Sequence, residues 1–437
     1  MISEKKQKIF NIVSIVIICI LGIYYLSRLI YFKILNDKNT SYSELLAEQV
    51  KERVSKYEVA PTLINDEGVY RFANNAKNNY IKFMGYTWRI VKVNNDNTIT
   101  LVTEESIISL PYNDSQITNW LDEIFSKTLD TNYLVNTISC KDDFSNSDNY
   151  SCNKNDDSLI SLLSVEDYVK AGSKNSYLNN QTHFWTTNTN KNQIWHISVS
   201  GDIVTSNSDI VHEVRPVITL KSDTKVIDGN GTIDNPYIVL EHNPNKTSDL
   251  FVGEYLKLND SIWRVVSKDE DKIKIVSEDY IKENDKIYET KYSSYDNLNN
   301  DEDSLIYYLN NIYYNNFKEK ELIVEGTFYN GSIIDEFNYK NTYDESTNLM
   351  VGLLSIAEPF IYDVGNVFTF SRNENNNSGI YIINNDKKLF EDDINNLHYV
   401  RPSIYIKNNI TIINGNGSYL NPYVLGGELN EEENNNN

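Results

Sequence analysis

The chain has 437 residues, which is long enough for two or three domains with cores of their own. It carries 40 Lys and Arg against 62 Asp and Glu, a net charge of −22, and its hydrophobic content of 40% is typical of a folded protein. Because an acidic chain repels phosphate backbones, this composition argues against nucleic acid as a partner.

The N-terminal stretch predicts a membrane anchor. Residues 9–32 form an apolar run long enough to cross a bilayer as a helix. Three lysines precede it, which favours a cytoplasmic location for residues 1–8. A cleaved signal peptide is the alternative, but no small-residue cleavage site follows the run. We therefore predict a single-pass protein of the cell membrane with its C-terminal bulk outside the cytoplasm.

Residues 33–67 are predicted to form a stalk. Ser41 and Glu44 have the spacing of a capping box, and apolar residues follow at four-residue intervals, which predicts a short helix. At the other end of the chain, residues 428–437 are acidic and of low complexity, which is typical of a disordered tail.

The region between stalk and tail contains a duplication. The stretch from His212 to Val239 returns as His398 to Leu425, with its His, Arg, Pro, Gly and Tyr residues all displaced by 186 positions. We place the two repeats at residues 68–241 and 242–427. Each begins with alternating apolar and polar residues on both sides of a tight turn, the pattern of paired strands.

Two helices are predicted in each repeat. The first is an amphipathic helix, whose apolar positions have the spacing i, i+3, i+4, i+7: Ile117, Trp120, Leu121 and Ile124, then Leu305, Tyr308, Leu309 and Ile312. The second, shorter helix begins at Ser164 or Ser355, each followed three residues later by an acid. A serine nucleophile is the alternative for these residues, but the capping interpretation explains the spacing and no base is identifiable nearby.

Each repeat also resembles a domain of unknown function found in exported proteins of low-GC Gram-positive bacteria. The resemblance is carried in the second repeat by Trp263-Arg264-Val265-Val266, Tyr308-Leu309-Asn310, Leu353-Leu354-Ser355 and Val400-Arg401-Pro402. Phe184 to Thr187 and Trp195 supply the later aromatic part of the pattern in the first repeat.

That family is similar in pattern to the C-type-lectin-like fold, which formylglycine-generating enzymes also use. The resemblance implies an α+β architecture, in which a transmembrane helix is followed by two tandem lectin-like modules, each a twisted antiparallel sheet with two helices. The catalytic members require a reactive cysteine pair and a metal site. Beyond the anchor, this chain has only Cys140 and Cys152, both in the first repeat. We therefore predict no enzymatic activity, no cofactor and no metal ligands.

Candidate site residues fall into three groups. Cys140 and Cys152 are a disulfide candidate that would close a loop of about a dozen residues, worth ~3 kcal/mol in the chain-entropy model; a free thiol pair or a metal site is the alternative. The aromatic residues Trp185, Trp195 and Tyr381 are candidates for ligand binding. Structural roles are predicted for the residues that recur between repeats: Trp88, Arg89, Trp263, Arg264, Ser164, Ser355, His212, Arg215, His398 and Arg401.

These observations predict a membrane-anchored, non-catalytic surface protein that recognises a cell-surface glycan or protein through its lectin-like modules. A structural or assembly protein of the cell envelope is the first alternative, and an enzyme of unknown class is the second. The unrepeated segments are the expected source of ligand choice, because variable loops on a stable sheet carry specificity in many folds.

Overall fold

The computed structural model describes residues 45–56, 62–112, 116–144, 150–293, 301–329, 346–372 and 378–428. The chain divides into two compact units, Met1–Leu45 and Leu46–Asn437, and both repeats lie within the second. The predicted anchor, residues 9–32, lies outside the described residues. Among those described, no helix is both long and apolar enough to span a bilayer.

Strands dominate the described structure. Strand β1, Leu63–Asp66, lies at the end of the predicted stalk. In the first repeat the strands are β2 Val69–Phe72, β3 Tyr80–Phe83, β4 Tyr86–Val93, β5 Ile99–Thr103, β6 Ile108–Pro111, β7 Leu134–Val135, β8 Thr137–Cys140, β9 Asn155–Ser158, β10 Ile160–Leu162, β11 Phe184–Asn190, β12 Gln193–Ile197, β13 Ile203–Ser206, β14 Val211–Val214, β15 Pro216–Leu220 and β16 Tyr237–Ile238. In the second repeat they are β17 Tyr255–Leu258, β18 Ser261–Lys268, β19 Lys272–Ser277, β20 Lys282–Glu283, β21 Lys286–Ile287, β22 Glu289–Thr290, β23 Ile323–Val324, β24 Gly326–Tyr329, β25 Ser346–Leu349, β26 Val351–Gly352, β27 Val367–Arg372, β28 Gly379–Ile383, β29 Leu389–Asp393, β30 His398–Tyr399, β31 Ser403–Lys407, β32 Ile410–Asn414 and β33 Tyr423–Glu428.

Within the described residues the α-helices are few and short. They are α1 Leu46–Lys56, α2 Gln116–Glu123, α3 Val165–Lys170 and α4 Leu305–Tyr307, which continues as a π-helix over Tyr308–Tyr313. Short 3₁₀ turns cover Phe125–Thr128, Thr131–Tyr133, Ser173–Asn175, Thr247–Asp249, Tyr314–Asn316, Lys320–Leu322 and Ile361–Asp363.

The predicted fold class is wrong. Strands make up 43% of the chain and helices 15%, so the protein is mostly β, and a helix-bearing C-type-lectin-like fold is not found. Both predicted helices form in the first repeat, as α2 and α3. In the second repeat, α4 has three residues before it widens into the π-helix, and Ser355 begins only a turn.

Pro359 explains the missing helix. A helix capped by Ser355 would place Pro359 in its first turn and a half, where a proline has no amide hydrogen to donate and clashes with the carbonyl four residues earlier. Proline also disfavours helical geometry at the residue before it. The chain instead turns, and Phe360 takes a left-handed conformation with φ of 69°. Pro359, just downstream, thus prevents the helix that the Ser-x-x-acid spacing predicts.

Two sheets recur in each repeat. The larger one in the first repeat runs β1-β2-β4-β5-β15-β10, and its counterpart runs β23-β31-β19-β18-β17-β33-β32. In both, the last strand of the repeat pairs in parallel with an early one, β16 with β3 and β33 with β17. The smaller sheet runs β13-β12-β11-β14-β6 in the first repeat and β29-β28-β27-β30-β22 in the second. The duplication therefore extends to topology.

One continuous hydrophobic core serves both repeats. The indole nitrogen of Trp120, in the first repeat, donates to the carbonyl oxygen of Ala357, in the second, at 2.9 Å. At Gly85 a Cβ atom would lie 2.1 Å from the carbonyl oxygen of Val252, so the backbones meet too closely for a side chain. The repeats are therefore parts of one packed body.

Helix α1 packs on the first repeat. Leu46, Ala47 and Val50 are fully buried, and the amide of Leu46 donates to the carbonyl oxygen of Thr224 at 2.9 Å. This part of the predicted stalk is accordingly docked, and its helix begins at Leu46. The predicted capping box of Ser41 and Glu44 lies outside the described residues.

The two predicted caps give a paired test. Ser164 Oγ accepts from the amide of Asp167 at 3.0 Å and begins α3, whereas at Ser355 it is the backbone amide that donates, to Glu358 Oε2 at 2.8 Å. We expect Ser164→Ala to lower the free energy of unfolding by about 1 kcal/mol. Ser355→Ala should change it by less than about 0.5 kcal/mol, because its backbone bond survives. Urea denaturation of both variants measures the difference, and equal losses would contradict the assignment.

Candidate metal centre

Three histidines converge on one face of the smaller sheet of the first repeat. His183 lies just before β11, His196 lies in β12 and His212 lies in β14. Trp185 pairs with His196 across the antiparallel strands, and Phe184 pairs with Glu213 across the parallel ones. Because side chains alternate between the faces of a strand, this register puts all three imidazoles and Trp185 on the same face.

The three rings lie close together. Ring centroids are 4.1 Å apart for His196 and His212, 5.2 Å for His183 and His212, and 5.5 Å for His183 and His196. One ligand atom from each residue lies within 4.8 Å of the other two. Around a tetrahedral zinc ion with Zn–N bonds of 2.0–2.1 Å, the nitrogens would be about 3.3 Å apart. Small side-chain rotations would therefore close the site.

Two ring nitrogens in this cluster lack partners. The Nδ1 atoms of His183 and His196 are buried and make no hydrogen bond within the described part of the chain. His212 Nε2 lies 3.0 Å from Ser206 Oγ. A buried polar atom without a partner costs about 1–3 kcal/mol, so such atoms call for an explanation. A metal ion bound by these two nitrogens would satisfy both.

The environment favours the neutral form of His196 and His212. Burial, and after it the neighbouring His183, lower the pKa of His196 to about 4. Burial, followed by the two other imidazoles, lowers the pKa of His212 to about 3. Neutral imidazole is the form that binds metals, because its ring nitrogen then offers a lone pair.

The second repeat carries a different set of residues at the positions of the three histidines. Asn366, Ile382 and His398 occupy the sites of His183, His196 and His212 in the matching strands. His398 Nδ1 lies 2.8 Å from Asn366 Oδ1, and its Nε2 lies 2.9 Å from Asp392 Oδ2. Both of its nitrogens have partners within the protein. The convergence of unpartnered imidazoles is thus a property of the first repeat.

The aromatic residues predicted to bind ligand are placed differently from one another. Trp185 is fully buried, and its indole nitrogen donates to the carbonyl oxygen of Leu110 at 2.8 Å, so it supports the histidines from within and offers no face to a ligand. Trp195 and Tyr381 are half-buried at equivalent positions of β12 and β28, on the face opposite the histidines. Trp195 packs edge-on against Tyr150, with 5.9 Å between ring centroids.

The recurring tryptophans donate hydrogen bonds to backbone oxygens, and the recurring arginines contact backbone or side-chain oxygens. The indole nitrogens of Trp88 and Trp263 donate to carbonyl oxygens five residues earlier, at 3.0 and 2.9 Å. Arg89 contacts Asn79 and Glu104, and Arg264 contacts the Gly253 carbonyl and Asp363. The guanidinium group of Arg215 donates to the carbonyl oxygens of Thr103 and Leu178. That of Arg401 donates to the carbonyl oxygens of Ser277 and Phe360.

A cleft of 570 Å³ also lies between the repeats. Its buried carboxylate, Glu254, accepts from the backbone amide of Phe251 at 2.7 Å and from Tyr423 Oη at 3.3 Å, and it lies 3.0 Å from His242 Nε2. The polar groups thus satisfy one another, and the cleft is best described as a junction between repeats. The three-histidine cluster is the stronger candidate for a functional site.

No protein family model matches the chain, no curated protein matches it, and no solved structure matches its fold. The evidence for its function therefore comes from the residues of this chain.

Proposed function

We propose that this protein is a metal-binding surface protein whose first repeat holds a divalent transition metal ion of the zinc class. The ligands are the imidazole nitrogens of His183, His196 and His212. The observation that carries the proposal is their convergence on one sheet face with two buried, unpartnered nitrogens. This departs from our expectation that the chain has no metal ligands.

The donor set favours zinc over harder cations. Imidazole nitrogen suits zinc, copper, nickel and iron, whereas calcium and magnesium prefer oxygen ligands. Three protein ligands leave a fourth position for water or an external ligand. His183 and His212 are half-buried while His196 is only 4% exposed, so an ion held by the three rings would be within reach of the surface. A metal-dependent binding role for an external donor group fits this arrangement.

Two features support a location outside the cytoplasm. The apolar run over residues 9–32 is long enough for an anchor, and the lysines before it favour an outward orientation of everything that follows. Cys140 and Cys152 form a disulfide, a bond that persists in oxidising compartments. A surface protein would meet metal ions from the medium.

Zinc titration of the full-length protein against a chromogenic chelator tests the proposal. We expect one zinc ion per chain in the oxidised protein. Substituting His196→Ile introduces the residue that the second repeat carries at this position, Ile382, and should weaken zinc binding by at least about 100-fold, since losing even an outer partner of a ligand costs about 10–100-fold.

His398→Ile is the matched control in the second repeat, and it should leave zinc affinity unchanged. Mass spectrometry under native conditions gives the stoichiometry independently. Wild-type affinity in His196→Ile, or no zinc on the wild-type chain, would refute the three-histidine site.

A further inference from the structure

The disulfide of the first repeat is surrounded by oxygen donors. Both sulfur atoms, Cys140 Sγ and Cys152 Sγ, and a carboxylate oxygen of Glu166 lie within 4.8 Å of one another. A carboxylate oxygen of Asp142 lies 4.0 Å from Cys140 Sγ, and the side-chain oxygen of Asn155 lies 3.2 Å from Cys152 Sγ. Two sulfurs and these oxygens make a donor set that suits zinc.

The segments that carry these residues are held by bonds other than the disulfide. Strands β8 and β9 pair from Thr137 with Ser158 to Cys140 with Asn155. Asn188 joins the site to α3: its Nδ2 donates to the Cys140 carbonyl oxygen at 3.2 Å, while its Oδ1 accepts from the amide of Val165 at 2.8 Å. The next residue along α3 is Glu166. Breaking the S–S bond would therefore leave the donors near their present positions.

We propose that reduction of the Cys140–Cys152 disulfide creates a second site for a zinc-class ion, with both cysteine thiolates and the Glu166 carboxylate as ligands. The proposal is independent of the three-histidine site. It makes the first repeat a metal protein with a redox-controlled capacity, because the oxidised sulfurs cannot act as thiolate ligands.

The chemistry balances with a dithiol as reductant. The dithiol gives two electrons and two protons to the protein S–S bond. The dithiol is thereby oxidised to a cyclic disulfide, and the protein gains two thiols. Zinc then displaces the two thiol protons and forms two Zn–S bonds. In a tetrahedral site with Zn–S bonds of 2.3 Å the sulfurs would be about 3.8 Å apart, so the two side chains need only separate slightly.

Charge favours a cation in the reduced site. Two thiolates beside the carboxylates of Glu166 and Asp142 would repel one another in a partly buried environment, and a divalent ion neutralises that charge. Among the described residues, Glu166 forms an ion pair with Lys170 only, whose Nζ lies 3.1 Å from Glu166 Oε1. The second repeat has Tyr329 at the end of the strand that matches β8, so this site too belongs to the first repeat.

The experiment compares oxidised and reduced full-length protein in a Cys19→Ser background, which removes the third cysteine. The protein is reduced with dithiothreitol, desalted without oxygen, and checked for two free thiols per chain. Zinc is then titrated against a chromogenic chelator. We expect one additional zinc ion per reduced chain, whatever the oxidised chain binds.

Variants separate this site from the three histidines. With both sites present the stoichiometry should rise from one to two on reduction; in His196→Ile it should rise from zero to one. Cys140→Ser with Cys152→Ser should abolish the increase. Glu166→Gln should weaken the additional site at least about tenfold, and Glu166→Asp should restore part of the affinity.

Asp156→Asn serves as a control, since Asp156 is an exposed carboxylate on β9 that is outside the ligand set. It should bind zinc like the wild type in both states. Equal stoichiometry before and after reduction, with two thiols counted, would overturn the redox-controlled site. Absence of zinc from the oxidised wild type alone would refute only the three-histidine site.

Discussion

Replacing Trp120 with alanine is expected to lower the free energy of unfolding by about 3–5 kcal/mol, the usual cost of truncating a buried tryptophan. Trp120 is fully buried and stacks on Phe125 with 5.5 Å between ring centroids. The substitution also leaves the carbonyl oxygen of Ala357 without the indole donor that joins the two repeats. Urea denaturation followed by tryptophan fluorescence and circular dichroism measures the loss.

Two comparisons interpret that result. Trp120→Phe keeps most of the ring contacts and removes the hydrogen bond, so it should cost less than Trp120→Ala. Tyr308→Ala is the matched change in the second repeat, where the ring is half-buried, stacks on Tyr288 at 4.7 Å and crosses no boundary between repeats. We expect a smaller loss there. If Tyr308→Ala proves as costly as Trp120→Ala, the joining role of Trp120 is wrong.

The second large effect is expected from Asp167→Asn. The Asp167 carboxylate lies 2.5 Å from Arg71 Nη1 and 2.9 Å from Lys92 Nζ, and all three side chains are nearly buried. Removing one member of a buried ion pair typically costs about 3–5 kcal/mol, because the remaining charges lose their counterion. We expect a loss of about 3 kcal/mol at pH 7, measured by urea denaturation.

The loss should shrink in acid. Burial opposes ionisation of Asp167, but Lys92 and Arg71 outweigh it and hold the pKa of this carboxyl well below its usual range. A carboxyl with a depressed pKa in the folded state stabilises the protein above its unfolded pKa of about 3.9, and this contribution falls as pH drops further. The difference in free energy of unfolding between wild type and Asp167→Asn should therefore be largest at pH 6–7 and decrease progressively below about pH 4.

Asp260→Asn is the control for that experiment. Asp260 pairs with Lys318 on the surface, where both side chains are well exposed. Solvent screens such a pair, so its loss should not measurably change stability at either pH. A gap between wild type and Asp167→Asn that stays constant from pH 7 to pH 3 would show that the carboxylate is not the source of the effect.

The strands were the most predictable part of the fold, because alternation and turn residues are local signals. The first strand pair predicted in each repeat forms as β4 with β5 and as β18 with β19. The repeated His-x-x-Arg-Pro stretches likewise lead into strands β15 and β31. The duplication itself was visible in the sequence, since it rests on residue identity at a fixed displacement.

The helices were less predictable, because a cap signal says where a helix can start and nothing about whether it continues. Ser164 and Ser355 carry the same signal, yet only the first begins a helix, owing to Pro359. Likewise the apolar spacing around Leu309 matches an α-helix, but the structure widens there into a π-helix.

The three-histidine site could not be found from spacing. His183, His196 and His212 are 13 and 16 residues apart, which matches no short metal-binding motif. Only the register of β11, β12 and β14 brings them together. Comparing the repeats does offer a hint, since the positions of His183 and His196 carry Asn366 and Ile382 in the second copy. Proximity, however, depends on strand pairing that the sequence does not state.

The parallel pairing of an early strand with the last strand of each repeat also sets the order in which the molecule can form. During synthesis β3 leaves the ribosome long before β16, which pairs with it through Tyr237 and Ile81. At 5–20 residues per second that interval is about 8–30 s. Throughout it, one edge of β3 lacks its final neighbour, and unpaired edges invite association with other chains. The nascent first repeat therefore exposes an unpaired strand edge until β16 is made, and the same holds for β17 until β33 is made.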